Sequence, residues 1–115
     1  MIFSGLFAKA DAKKPAGEIS YEELMQAVEN KACAVVDVRE PHEYSGGHIP
    51  GAINRPLSRF DPGSLPSGNP VVLICLSGAR SAAALTQARK AGTPDARHYP
   101  AGMKGWRANG GGIER

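Results

Sequence analysis

Two short runs of branched apolar residues stand out along the chain. Residues 34–38 and 71–74 are almost continuously apolar and rich in valine and isoleucine. Such runs are typical of strands that are buried on both faces, as in a parallel sheet. Residues 52–54 and 96–99 are weaker candidates for further strands. The pattern therefore predicts an α/β fold in which helices cover both faces of a parallel sheet.

Segments with helical spacing of apolar positions alternate with these runs. Ser20 and Glu23 have the spacing of a capping box, which predicts a helix over residues 21–29. Two further helices and a single helical turn are predicted over residues 81–91, 103–109 and 41–44. Gly92 follows the second helix and is expected to end it.

Composition and charge exclude several function classes. The 115 residues are 42% apolar and 22% charged, which is ordinary for one globular domain. The net charge is +3, and residues 1–17 contribute +2 of it through three lysines and one aspartate. The rest of the chain has no stripe of basic residues with interleaved aromatic residues, so the sequence does not predict nucleic-acid binding. The chain also lacks a zinc-ligand spacing and a glycine-rich phosphate loop, so we expect no metal and no cofactor.

Both termini differ in character from the domain between them. Residues 1–17 form an apolar and basic leader and linker that is too short to span a bilayer. The leader also lacks the features of a secretory signal, which leaves a frayed or packed terminus, or a weak anchor to a membrane or partner. Residues 111–115 follow glycines and predict a flexible tail, so the folded domain is expected over residues 18–110.

The two cysteines are predicted to be free. Cys33 begins one apolar run and Cys75 ends the other. If the strands are parallel neighbours, the thiols lie at opposite ends, about 13 Å apart at about 3.3 Å per residue. That separation is beyond the reach of a disulfide. Free thiols favour a reducing, cytoplasmic location.

The carboxyl end of the second apolar run is the strongest candidate site. Cys75 is followed by small and polar residues, by Arg80, and then by a predicted helix. A loop this short must curl, and Gly78 suits a curl that directs backbone N–H groups inward as an anion nest. Such a nest, with an arginine nearby, stabilises a thiolate. The alternative that the residues leave open is a buried strand cysteine followed by an ordinary loop.

Asp37 and Arg39 lie at the corresponding end of the first run, where sites form in parallel sheets. We expect both to support the site and to point to opposite faces of the strand. One would anchor loop backbone, and the other would pair with Glu40 or Glu43. Two histidines are further candidates for acid–base chemistry, although their surroundings resemble a fixed turn more than a catalytic site: His42 and His48.

Three linked stretches resemble the signature motifs of the rhodanese (sulfurtransferase) domain. They are residues 37–44, 47–54 and 75–81, and Ala101, Gly102 and Trp106 resemble the closing segment of that family. The resemblance covers about residues 18–110, in consistent order and spacing. It implies a five-stranded parallel sheet flanked by helices on both faces.

The resemblance also implies a reaction. A cysteine takes a sulfane sulfur from thiosulfate or from a protein or low-molecular-weight persulfide, becomes a persulfide, and passes the sulfur to cyanide or a thiol. Cys75 matches the nucleophile, which makes the chain similar to thiosulfate sulfurtransferases that use no cofactor. The positions that match the persulfide-binding loop are Leu76, Ser77, Gly78, Ala79, Arg80 and Ser81, and those that match supporting positions are Asp37 and Arg39.

Two features refine this expectation. Cysteine phosphatases and arsenate reductases of a related fold place five residues between cysteine and arginine, whereas four residues separate Cys75 and Arg80 here. The shorter loop favours sulfur transfer, with a non-enzymatic persulfide carrier or protein-binding module as the alternative. Leu76 is apolar where many relatives that use thiosulfate well have a polar or basic residue, which favours a protein persulfide as the physiological donor.

Overall fold

The computed structural model describes residues 17–115, so the predicted leader lies outside the described residues except for Gly17. A parallel sheet forms the centre of this part of the chain. Its strands are β1 (Ala34–Asp37), β2 (Ile53–Asn54), β3 (Val71–Ile74) and β4 (Arg97–His98), and they lie in the order β2-β1-β3-β4. The two strands predicted from continuous apolar runs are the paired central strands β1 and β3, which confirms the core of the sheet prediction.

Four α-helices accompany the sheet in residues 17–115. They are α1 (Tyr21–Glu29), α2 (Pro41–Ser45), α3 (Ala79–Lys90) and α4 (Gly102–Ala108), with two 3-10 turns at Leu57–Arg59 and Pro62–Ser64. The Ser20 side chain accepts a hydrogen bond from the Glu23 N–H at 3.1 Å, which confirms the predicted cap of α1. No helix in this part of the chain is both long and apolar enough to cross a bilayer.

The sheet has four strands in residues 17–115, so the expectation of five strands is wrong for the described residues. At the outer edge of β4, Glu18 forms a single parallel bridge with His98. The His98 N–H donates to the Gly17 carbonyl at 2.8 Å, and the Ile19 N–H donates to the His98 carbonyl at 3.2 Å. Ser20 then caps α1, so the extended segment ends after one residue pair and does not become a strand.

Helices cover both faces of the sheet, as predicted. Successive residues of a strand point to opposite faces, which divides the core into two clusters. The cluster on the face of α1 and α4 contains Leu24, Val35, Val72, Ile74, Met103 and Trp106. The cluster on the face of α3 contains Val36, Leu73, Cys75, Ala84 and Ala88. The thiol of Cys75 therefore lies on the α3 face of the sheet.

Both cysteines are free, as predicted. Cys33 immediately precedes β1, and Cys75 immediately follows β3. The register pairs Ala34 with Val71 and Asp37 with Ile74, so the two thiols lie at opposite ends of the central strand pair.

The last residues of the chain make hydrogen bonds with the turn before β2. Glu114 forms an antiparallel bridge with His48, and its carboxylate accepts from the Gly51 N–H at 2.7 Å. The Trp106 indole N–H donates to the Gly112 carbonyl at 2.8 Å. The flexibility of residues 111–115 stays a prediction. Any motion of these residues would have to break the hydrogen bonds described above.

Candidate active site

The Cys75 sulfur lies at the carboxyl end of β3, inside the loop that leads to α3. The residue is buried, with 1% of its surface exposed. Its Sγ accepts hydrogen bonds from the N–H of Gly78 at 3.1 Å and of Ser81 at 3.3 Å. The Ser81 hydroxyl oxygen is 3.5 Å from the same sulfur. The loop therefore surrounds the sulfur with donors, in the arrangement that the sequence predicts for an anion nest.

Helix α4 holds the first two peptide groups of the loop that follows Cys75. The Met103 N–H donates to the Cys75 carbonyl at 2.8 Å, and the Lys104 N–H donates to the Leu76 carbonyl at 3.1 Å. Because the carbonyl and the N–H of one trans peptide point in opposite directions, the contact with the Leu76 carbonyl turns the Ser77 N–H away from α4 and towards the sulfur. Gly102 permits this approach, since a Cβ there would overlap the Cys75 and Leu76 carbonyls.

Gly78 provides the backbone turn in the second half of the loop. Its φ is +105°, a conformation that side chains rarely adopt, and a Cβ there would overlap the Pro100 carbonyl oxygen. The left-handed turn at Gly78 lets α3 begin at Ala79, two residues earlier than the sequence predicts. The helix N-terminus, with its partial positive charge, therefore starts directly beside the sulfur.

The environment of Cys75 favours the thiolate. Burial alone would raise the pKa of the thiol, but hydrogen bonds from the Ser81 hydroxyl and from the N–H groups of Ser81, Gly78 and Ser77 outweigh it and lower the pKa below its usual value. A thiolate fraction near neutral pH makes the sulfur nucleophilic. The geometry thus supports a reactive thiol rather than an inert core cysteine.

His98 joins the site from β4, and no pattern in the sequence predicts it there. Its Nδ1 is 2.8 Å from the Ser81 hydroxyl oxygen, and both residues are buried. Burial lowers the pKa of the imidazole, against the opposing effect of the Glu18 carboxylate. His98 lies in a segment that is predicted as a weak strand, and this strand pairs with the one that leads to Cys75. The order of strands in a sheet cannot be read from the sequence, so the prediction could not bring His98 to the site.

Asp37 and Arg39 pair with each other, so the expectation that they point to opposite faces is wrong. Residues two apart on a strand share a face, and the Arg39 guanidinium reaches the Asp37 carboxylate at 2.9 Å and 2.7 Å. Both side chains are buried. Arg39 also donates to the Gly47 carbonyl at 2.8 Å, so the expected anchoring of loop backbone is present. The pair fixes the end of β1 to the turn before β2.

The Arg80 guanidinium is occupied by Glu43 of α2. Two parallel hydrogen bonds join them, Nη1 to Oε1 at 2.7 Å and Nη2 to Oε2 at 3.0 Å. The side-chain hydrogen bond from Arg80 is the main reason that the pKa of Glu43 falls to about 2. The expected pairing of Glu43 therefore uses Arg80 in place of Arg39, and it fastens α2 over the start of α3. Arg80 remains close enough for a charged Cys75 to raise its pKa.

We expect Glu43→Gln to lower the free energy of unfolding at pH 7 by about 1–2 kcal/mol, reduced from the full pKa shift because both partners are partly exposed. The Glu43 pKa is depressed from 4.5 to about 2 in the folded protein. Its contribution is therefore complete above pH 4.5 and is lost as the pH falls towards 2. Urea unfolding from pH 7 to pH 3 measures the difference.

The matched control is Glu22→Gln, a change at an exposed position of α1. The wild type and the control should lose stability more steeply on acidification than Glu43→Gln. Equal slopes in all three proteins would show that the Arg80 ion pair does not stabilise the fold.

The remaining histidines lie away from the sulfur contacts. The His48 Nδ1 is 2.9 Å from the Tyr44 carbonyl oxygen, and its ring stacks on that of Tyr44 with centroids 3.8 Å apart. His42 is exposed on α2. In residues 17–115 no group of three or more histidine, cysteine or acidic side chains is arranged to hold a metal ion.

Helices on both faces of a parallel sheet, with a buried cysteine between a central strand and a helix, define an α/β protein with a candidate thiol site. Residues 20–109 match the family model of the rhodanese-like domain. The chain therefore belongs to the rhodanese-like domain family, as its three motifs predict.

Individual relatives agree with this assignment. An uncharacterized protein of Synechocystis is 42% identical over 94 residues, which are 80% of this chain and 52% of that protein. This chain thus spans about half the length of that relative. A thiosulfate sulfurtransferase of Shewanella oneidensis is 30% identical over 91 residues, 76% of this chain and 89% of that protein. The crystal structure of a rhodanese-related protein from Thermoplasma volcanium matches with a TM-score of 0.76 at 31% identity, covering 84% of this chain and 96% of that one.

Proposed function

We propose that this protein is a sulfurtransferase that carries a sulfane sulfur on Cys75 as a persulfide. The observation that carries the proposal is the pair of backbone donors on one sulfur, the N–H groups of Gly78 and Ser81, with the Ser81 hydroxyl oxygen 3.5 Å away. Donors placed where negative charge resides stabilise a thiolate and a persulfide anion without reorganising. The relative from Shewanella that is named as a thiosulfate sulfurtransferase supports the same class of reaction.

The proposed reaction proceeds in two displacements. The Cys75 thiolate attacks the outer sulfur of the donor, a sulfur–sulfur bond forms, and the donor's leaving group departs with the electron pair of the broken bond. With thiosulfate the leaving group is sulfite. An acceptor thiolate or cyanide then attacks the outer sulfur of the persulfide, which releases Cys75 as a thiolate. Two half-reactions through a covalent intermediate predict ping-pong kinetics.

The charges around the loop favour a protein persulfide over thiosulfate as the donor. The two arginines that the sequence assigns to the site are already paired with carboxylates, Arg39 with Asp37 and Arg80 with Glu43. The side chain that follows the nucleophile, Leu76, is half-buried against the core and adds no charge. A small dianion therefore finds no unpaired guanidinium among these groups, whereas a protein partner can contact the loop through apolar surface.

We expect thiosulfate to be used with a high KM and slow turnover, and Leu76→Arg to raise kcat/KM for thiosulfate about tenfold, because one nearby unpaired charge contributes about 1–2 kcal/mol to anion binding. Steady-state assays with thiosulfate and cyanide measure both effects. Leu76→Met, which conserves volume and charge, is the control and should leave the constants unchanged. A low KM and rapid turnover in the wild type would contradict the choice of a protein donor.

Intact mass spectrometry with a panel of sulfur donors tests the function as a whole. Incubation should add the mass of one sulfur atom to Cys75, and a thiol acceptor should remove it over many cycles. Loading without turnover would favour the alternative, a non-enzymatic persulfide carrier. The two free cysteines support a reducing, cytoplasmic setting for this chemistry.

A further inference from the structure

A continuous line of polar atoms leads from the nucleophile into the protein. The Cys75 Sγ is 3.5 Å from the Ser81 Oγ, which is 2.8 Å from the His98 Nδ1. The Ser81 Oγ is also 3.2 Å from the Gly78 carbonyl oxygen, to which it can donate. Ser81 is wholly buried, and His98 and Cys75 are nearly so. The hydroxyl thus has three neighbours and one proton to share among them.

The tautomer of His98 decides where that proton goes. If the Nδ1 atom is an acceptor, the hydroxyl donates along its shortest contact, to His98, and the sulfur loses a donor. If the Nδ1 atom carries a proton, it donates to the hydroxyl oxygen, and the hydroxyl proton is left for Gly78 or for the sulfur. A charged sulfur is the stronger of these two acceptors. Once the Cys75 thiol has lost its proton to solvent, a rotation of the Ser81 hydroxyl from the Gly78 carbonyl to the sulfur supplies the thiolate with a further donor.

We propose that His98 is a positioning residue that, as its Nδ1–H tautomer, donates to the Ser81 hydroxyl and so directs the hydroxyl proton to the Cys75 thiolate. The proposal deepens the proposed function, because it explains how the assigned nucleophile is held as an anion. A hydroxyl whose oxygen accepts a hydrogen bond is itself a better donor. His98 therefore strengthens the hydrogen bond from the Ser81 hydroxyl to Cys75 without contacting the sulfur itself.

The charged groups around this line are compatible with a neutral imidazole. Glu18 is the carboxylate that opposes the lowered pKa of His98, from the segment that pairs with β4. On the other side of the sulfur, α3 contributes Arg80, which is paired with Glu43 of α2. Because burial outweighs Glu18, the pKa of His98 lies below its usual value, and the ring carries one proton at neutral pH.

Nitrogen NMR of the imidazoles tests the tautomer directly, because the two ring nitrogens differ in shift according to which one is protonated. His48 provides an internal reference for a protonated Nδ1, because that atom lies 2.9 Å from the Tyr44 carbonyl oxygen, which can only accept. Exposed His42 supplies a solvent reference, and loss of a signal in His98→Asn assigns His98. The expected result is an Nδ1–H pattern for His98 in the reduced protein at neutral pH. The opposite tautomer overturns the proposal.

Thiol alkylation measures the consequence for Cys75, in a Cys33→Ser background so that one thiol reports. We expect the pH midpoint for reaction with iodoacetamide to rise by about half a unit in His98→Phe, which slows the reaction near neutral pH about threefold. His98→Asn should restore the midpoint, because its amide N–H can take the place of Nδ1–H. An unchanged midpoint in His98→Phe, or a failure of asparagine to restore it, contradicts the proposal.

A double-mutant cycle separates positioning from a general structural effect. Ser81→Ala should raise the midpoint, and adding His98→Phe should then change nothing further, because His98 acts through the hydroxyl. An additive second shift would show that His98 acts by another route. Alkylation needs no sulfur donor, so a protein that shows the predicted midpoints but never forms a persulfide would contradict the proposed function and leave the role of His98 intact.

Discussion

Cys75→Ser is expected to reduce sulfur transfer to the uncatalysed background, a loss of more than about a thousandfold. Serine cannot form the persulfide, because its hydroxyl does not ionise near neutral pH and its oxygen does not carry a sulfane sulfur through the cycle. The fold should survive, since the Gly78 and Ser81 N–H groups that now donate to Sγ can donate to a hydroxyl oxygen. Transfer assays with a persulfide donor, together with circular dichroism, measure both results.

Cys33→Ser is the matched control for this substitution. It makes the same chemical change in a thiol that precedes β1, at the other end of the central strand pair. Burial raises the pKa of Cys33, with Arg97 opposing, so this thiol is less nucleophilic than usual. Activity should therefore be retained. Transfer above background in Cys75→Ser, or its loss in Cys33→Ser, would show that the nucleophile is assigned to the wrong residue.

Gly78→Ala is expected to cost both stability and activity. The φ of +105° is strained for alanine, which alone costs about 1–3 kcal/mol. The added Cβ would also overlap the Pro100 carbonyl oxygen, so the loop must shift and the Gly78 N–H must leave the sulfur. Removing one such donor from a charged site typically lowers the rate about a hundredfold or more. Urea unfolding and the transfer assay measure the two losses.

Gly92→Ala provides the comparison, at the other end of the same helix. Its φ is +110°, and no atom lies within 4 Å of the position that a Cβ would take. Both substitutions therefore place an alanine at a similar positive φ, and of the two Gly78→Ala alone adds the overlap with Pro100. We expect Gly92→Ala to keep full activity and to lose at least about 2 kcal/mol less stability. Equal losses would show that the contact with Pro100 does not shape the loop.

Local signals in the sequence predict most of the fold. Apolar runs locate the central strands, and Ser20 caps α1 as its spacing predicts. The family resemblance implies a fifth strand without locating it in the sequence, and the extended segment at Glu18 forms only one bridge, with His98 about eighty residues away. Edge pairing of this kind is decided by tertiary contacts that leave no periodic pattern in either segment.

The candidate site shows the same division between contacts predicted from local sequence and contacts that depend on the tertiary structure. The residues contributed by one continuous loop, from Cys75 to Ser81, are predicted as a group and lie together. The contacts that come from elsewhere are not predicted: Arg39 pairs with Asp37, Arg80 with Glu43, and His98 reaches Ser81 from β4. Each of these contacts depends on which elements become neighbours in the fold. The charge or hydroxyl group of each side chain is compatible with several partners, so its chemistry alone does not identify the one it meets.

The hydrogen bonds from α4 to the loop that follows Cys75 affect how the sequence of such a protein can change during evolution. The donors that hold the sulfur are mostly main-chain groups, and the Met103 and Lys104 N–H groups that orient the loop are main-chain groups as well. Side chains at positions 76, 77 and 79 are therefore not needed to build the nest, whereas Gly78 and Gly102 leave no room for one. Natural variation can thus alter donor preference at the mouth of the loop and leave its sulfur chemistry unchanged.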